Sequence, residues 1–105
     1  MIDSAVVTVC AALGDESRWS VLAAVGEAEA SASSLAGRLP ISRQAITKHL
    51  VILDAAGLVE SVRDGREVRY RALGSRLTVL ARSLEETGTA WDRRLESIKN
   101  VAESL

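Results

Sequence analysis

The chain has 105 residues, 13 Lys and Arg against 14 Asp and Glu, and is 48% hydrophobic but only 3% aromatic, which is the profile of one small soluble domain with a core of Leu, Val, Ile and Ala. One Cys (Cys10) and one His (His49) exclude a disulfide framework and a Cys/His metal cage within one chain, and fit a reducing cytoplasm. A net charge of −1 argues against a bulk DNA-coating protein, and a chain this short buries only about two thirds of its unfolded surface, so association with a second copy is an early expectation.

Met1-Ile2-Asp3-Ser4 has no basic leader, and no apolar run approaches the ~18 residues that span a bilayer. No repeat or linker divides the chain, so residues 1–105 are expected to form one domain. Residues 4 to 13 are small and mostly apolar and end at Gly14, as a first helix stopped by glycine would. Cys10 falls in this segment and is expected as a small core residue. Asp15 then caps a second helix carrying Trp19, Val21, Leu22 and Val25 at helical spacing before Gly26. Past the acidic link of Glu27 and Glu29, Ser31 or Ser33 caps a short helix that Pro40 stops. Ser42 caps a longer one running to about Ala56, closed by Gly57. Two helices joined by Leu39-Pro40-Ile41-Ser42 form a tight helix-turn-helix over about residues 32–56.

At Leu58 the period changes from helical to alternating. Leu58 to Arg63 and Arg66 to Leu73 are β-prone runs around Asp64-Gly65, a strong signal for a two-residue hairpin loop. A helix-turn-helix followed by a hairpin over 58–73 is the order of a winged helix. The last segment, about 75–104, is helical by pattern. Leu77, Leu84, Trp91, Ile98 and Leu105 recur every seventh residue, flanked by Leu80, Ala81, Leu95 and Ala102. Gly88 beside that seam either breaks the helix or admits a second backbone. The seam is longer than one small domain can cover, so it is expected, with the first helix, to form a dimer interface. The expected fold is therefore mainly α (α+β), a winged helix-turn-helix with a two-stranded wing and N- and C-terminal dimerisation helices.

On the Ser42 helix, steps of 100° per residue put Ile46, Leu50 and Leu53 on the core side and turn Gln44, Thr47, Lys48 and Val51 outward, with Arg43 on the flank. Amide, hydroxyl and cation are the groups that base edges and phosphates require. Charge is distributed to match. Residues 1–37 hold Arg18 against five acids, a net −4, and residues 72–105 balance. Residues 38–71 are net +3, through Arg38, Arg43, Lys48, Arg63, Arg66, Arg69 and Arg71 against Asp54, Glu60, Asp64 and Glu67. Gln44 and Thr47 are the candidate base readers, Arg43 and Lys48 read or clamp, and Ser42, Arg63, Arg66 and Arg69 are candidates for the phosphate backbone. His49 lies about 60° from the core direction and is expected to be packed.

Several segments together resemble the ArsR-type winged helix-turn-helix repressors of bacteria over nearly the whole chain. Leu13-Gly14-Asp15-Glu16-Ser17-Arg18 resembles that family's L-x-D-x-x-R segment, and Ile41 to Leu50 its recognition signature. Leu53 to Val59 and Arg63-Asp64-Gly65-Arg66 resemble the turn into the wing and its tip. The resemblance implies a homodimeric repressor that binds double-stranded DNA at a palindromic operator. Where metal-sensing members carry Cys-x-Cys-Asp this chain has Ser31-Ala32-Ser33-Ser34, and residues 74–105 hold no His, so neither metal site of the family is expected. Trp91-Asp92-Arg93-Arg94-Leu95 is similar to the C-terminal pattern of non-metal members that act as autorepressors. An enzyme is excluded for want of a catalytic set. The alternatives are a winged-helix protein-interaction module, and a repressor with an unrecognised metal sensor or a redox sensor at Cys10.

Overall fold

The computed structural model describes residues 4–104; Met1, Ile2, Asp3 and the last seam residue, Leu105, lie outside them. Helix α1 (Ser4–Leu13) leads into α2 (Glu16–Glu27), strand β1 (Ala30–Ser31), α3 (Ala32–Arg38), α4 (Arg43–Ala55), strands β2 (Val59–Asp64) and β3 (Glu67–Ala72), and α5 (Ser75–Ser104).

Local chemistry sets most of these boundaries. Asp15 is the extended N-cap of α2, its carboxylate accepting the Arg18 N–H at 2.9 Å. The Arg18 side chain reaches back to donate to the carbonyl oxygens of Ala12 (3.1 Å) and Ala11 (3.5 Å), the open C-terminal end of α1. One Asp and one Arg thus close two helix ends at a single corner, which is the physical content of the L-x-D-x-x-R segment. Neither Gly14 nor Gly26 adopts a positive φ, and Gly26 lies inside α2 rather than after it. Of the two candidate serines, Ser31 caps α3 by accepting from Ser34 N–H. That helix ends at Leu39, held extended (φ −113°, ψ 147°) as a residue before proline must be.

Ser42 caps α4. At its other end Gly57 takes φ +75°, with Leu58 N–H bonded to Leu53 O and Gly57 N–H to Asp54 O, each at 2.9 Å. This is the paired closure of a Schellman motif, and Leu53 and Leu58, both fully buried, supply its apolar contact.

The sheet is antiparallel with strand order β1-β3-β2, so it has one strand more than the hairpin read from the sequence. Ala30 pairs with Tyr70 and Ser31 with Arg69. The hairpin register also differs by one residue. Asp64 pairs with Glu67, so the two loop residues are Gly65 and Arg66, not Asp64 and Gly65. Only Gly65 has a positive φ, +63°, the pattern of a II′ turn, which needs glycine at its first central position alone.

The core gathers Val6, Val9, Val21, Leu22, Leu35, Ile46, Leu50, Leu53, Leu58 and Val59, with Leu80 of α5. Cys10 is exposed, a correction to its expected burial: Val6, Val9 and Ala12 take the inner face of α1. Helix α5 is continuous through Gly88. Its first turns pack on the body through Leu77 and Leu80, but every described residue after Ser83 is exposed. The described chain is consequently 70 Å long and only 24 Å and 21 Å across.

Candidate nucleic-acid interface

Helix α4 divides as its sequence predicts. Ile46, Leu50 and Leu53 are fully buried, while Arg43, Gln44, Thr47 and Lys48 are exposed together with Val51. Thr47 Oγ1 donates to the Arg43 carbonyl at 2.9 Å, which uses its proton and leaves outward a methyl group and an acceptor oxygen. Ser42 Oγ accepts the Ala45 N–H at 3.2 Å, so its own O–H remains available as a donor. The first turn of α4 contains no acidic residue, and its positive dipole end stands beside Arg43, an environment that favours anions.

Alternation along the wing sorts its four arginines. Glu60, Asp64, Glu67, Arg69 and Arg71 project to one face of the β2–β3 ladder, and Arg63 stands on the other opposite Val68. Among the first set, Arg69 is held by Glu67 at 3.2 Å and Asp64 at 4.0 Å, and Arg71 by Glu60. Arg63 and Arg66 are exposed. Among the described residues they form no ion pair, and neither do Arg43 and Lys48. Of the five candidate cations, then, four are unpaired at the surface, and Arg69 is partly neutralised within the wing.

Between α3, the start of α4 and the wing lies a cleft of about 440 Å³ whose walls include Ser33, Arg43, Thr47, Arg66, Val68 and Tyr70. It brings a guanidinium from the helix and one from the wing tip to a common concavity. Ser33, Val68 and Tyr70 were not candidates from the sequence. Tyr70's alternation was visible there, but its proximity to α3 depends on the β1–β3 pairing.

Behind the outer face, His49 is half-buried with its Nδ1 enclosed and without a hydrogen bond, in keeping with the packed role expected of it. The bond from Arg18 N–H is the main reason the Asp15 carboxyl is held below its ordinary pKa, with smaller contributions from His49 and the Arg18 charge. Among the described residues no group of three or more His, Cys, Asp or Glu is placed to hold a metal ion, and no helix is long and apolar enough to cross a membrane.

A family model described as a helix-turn-helix domain matches residues 13–62, from the Asp15 corner through most of β2. The chain is 35% identical over 86 residues, 82% of its length and 70% of the relative's, to the HTH-type transcriptional regulator CmtR of Mycobacterium tuberculosis and of Mycobacterium bovis. Among solved structures, an ArsR-like transcriptional regulator from Rhodococcus sp. RHA1 is 60% identical and superposes with a TM-score of 0.90, covering 97% of this chain and 96% of that one. The homodimeric winged helix-turn-helix DNA-binding domain of Mb0332 from Mycobacterium bovis is 26% identical with a TM-score of 0.65, covering 89% and 83% respectively. With its fold, its helix-turn-helix and these relatives in agreement, the chain belongs to the ArsR family of transcriptional regulators.

Proposed function

We propose that this chain is a single winged-helix unit acting in the cytoplasm as a homodimeric repressor, which reads a palindromic operator with two copies of α4. The observation that carries the reading is the set of four exposed cations that form no ion pair among the described residues, Arg43 and Lys48 on α4 with Arg63 and Arg66 on the wing, of which Arg43 and Arg66 line one cleft. In a chain of net charge −1, such a set attracts a polyanion locally, while the acidic N-terminal third holds non-specific binding down.

Each side chain has a role that its chemistry fits. Gln44 offers the bidentate amide that matches adenine. Thr47, with its proton committed to the Arg43 carbonyl, accepts from an exocyclic amine and meets a thymine methyl. Arg43 and Lys48 reach guanine or the flanking phosphates. Ser42 donates to a phosphate from the helix N-terminus, while Arg63 and Arg66 hold the backbone from the wing. Arg69 joins them only by giving up its bonds to Glu67 and Asp64, so its contribution is the smallest of the cations.

Selection of bound fragments from the source genome, with and without EDTA, tests this directly. An enriched inverted repeat with half-sites one helical turn apart is the expected result, obtained equally in both conditions; failure to enrich any motif overturns the reading.

A further inference from the structure

Helix α1 and the C-terminal half of α4 do not close on each other. They leave a groove of about 520 Å³, within the ~300–1,000 Å³ of small-molecule pockets. Alanine at positions 11, 12, 55 and 56 is too short to fill the space, and Val7 (59%), Val51 (60%) and Ile52 (40%) stand exposed around it. One cation interrupts these apolar walls. Arg18 Nη1 donates to the carbonyl oxygens of Ala12 and Ala11, and the Asp15 carboxylate is occupied by the Arg18 backbone N–H. Arg18 Nε, however, is enclosed and has no acceptor, and among the described residues the guanidinium forms no ion pair. Since Nη1 lies on the Cδ side, the edge left over is that of Nε and Nη2, whose two parallel N–H groups match the two oxygens of a carboxylate. No acid lines the groove, and its one hydroxyl, on Thr8, donates to the Ser4 carbonyl.

We propose that this groove is an effector site for a small apolar carboxylic acid, its carboxylate meeting Arg18 and its hydrocarbon lying between α1 and α4. Charge complementarity selects that class. A neutral hydrocarbon would leave the buried Nε–H without an acceptor, and a phosphate ester would bring more charge into an apolar groove than one guanidinium answers. The site also has a route to the function proposed above. Val51 and Ala55 continue, at helical spacing, the stripe of α4 that begins with Gln44 and Lys48. A bound acid therefore rests against the helix assigned to DNA, one turn from Lys48, and neutralises Arg18, the only cation of residues 1–37. Both changes disfavour a polyanion, so the acid releases the operator. This regulatory role rests on the operator reading, whereas occupancy of the groove does not.

The test titrates the full chain, without DNA, with octanoate and phenylacetate as alkyl and aryl probes and with octanamide and phenylacetamide as their neutral counterparts. An enclosed Nε–H is shielded from exchange with water and so is observable by proton–nitrogen NMR. At least one acid is expected to shift the Arg18 Nε–H and the Val51 and Ile52 methyl signals together, and to bind about tenfold tighter than its amide. Equal binding of acid and amide, shifts that omit Arg18, or no response to either acid overturns the site. Ala55→Phe, at an exposed position, is expected to fill the groove and abolish binding with folding stability in denaturant unchanged; binding retained in that variant overturns the site as well. So does an acid affinity that falls as protein concentration rises, which would mean that a second copy covers the groove. At saturation the acid is expected to weaken operator binding about tenfold, and the operator to weaken the acid by the same factor. An unchanged operator affinity overturns the effector role. Failure of motif enrichment leaves the NMR titrations to decide the site, and failure of the site leaves the operator reading standing.

Discussion

Helix α4 buries its apolar face within its own chain and turns its polar face outward, whereas α5 over its last six turns or so does the reverse. Ile46, Leu50 and Leu53 are wholly enclosed, and what α4 shows to solvent over its first two turns is Arg43, Gln44, Thr47 and Lys48, with Val51 and Ile52 exposed beyond them. What α5 shows, among its charged residues, is Leu84, Trp91, Leu95 and Ile98. Both helices are amphipathic, and only the packing tells them apart. A polar face presented by a fully anchored helix is suited to hydrogen bonding with a polar ligand, because anchoring removes the entropic cost of aligning its donors. An apolar face presented by an unanchored rod is a surface waiting for a second apolar one. On the proposed function, the molecule keeps its DNA-facing and protein-facing surfaces on separate helices.

The largest effects should separate the two helices by what fails. Leu50→Ala, in the enclosed face of α4, is expected to cost about 2–5 kcal/mol of folding stability in denaturant titration. Leu95→Ala, in the exposed seam of α5, should leave the stability of the monomer within about 0.5 kcal/mol while weakening self-association in sedimentation. If Leu95→Ala unfolds the monomer as Leu50→Ala does, the contrast between an anchored helix and a free rod is lost.

On the outward face of α4 the effects are smaller and divide by chemistry. Gln44→Ala should cost about 1–3 kcal/mol at the operator and relax preference at one position of each half-site, with little change on random DNA. Arg66→Ala should weaken operator and random DNA alike and lower the slope of log affinity against log salt by about one for each protomer. Arg69→Ala should change that slope less, because Arg69 already holds Glu67 and Asp64. Equal slopes for the two arginine variants would refute the division of the wing into paired and free cations.

How far these surfaces can be read from sequence follows from the length of each signal. The apolar period of α4 persists for more than three turns, and its outward residues and both caps were legible. So was the seam of α5, whose spacing by sevens runs for four heptads. The two residues of β1 are too few to show any period, so the third strand was invisible, and with it the place of Tyr70 in the cleft. The wing register slipped by one because Asp-Gly reads as a loop dipeptide, whereas here the backbone needs glycine only at the first loop position and leaves Asp64 paired. Helix α1 is apolar nearly all round, so its pattern gave no direction for Cys10. The ion pairs of Arg69 depend on which strand residues share a face, and alternation reveals that only once the register is known.

The smallest predicted effect concerns acid. Asp15 caps α2 and its carboxyl is held below its ordinary pKa chiefly by the Arg18 N–H, so its contribution to folding has a definite sign. A carboxyl that ionises more readily in the folded chain adds stability that is fully present above its unfolded pKa and is lost as pH falls through the lowered folded value. Acid titration of unfolding should therefore show a loss that Asp15→Asn makes shallower, since asparagine still caps the helix but carries no charge to lose. The Asp15 corner joins α1 to α2 and approaches His49 of α4, and nothing in it touches the outer turns of α5. The Asp15 contribution should consequently appear in the stability of the body and leave the association of the α5 seam unchanged. A matching shift in dimer dissociation when Asp15 is replaced by Asn would mean that the two helices are coupled rather than separate.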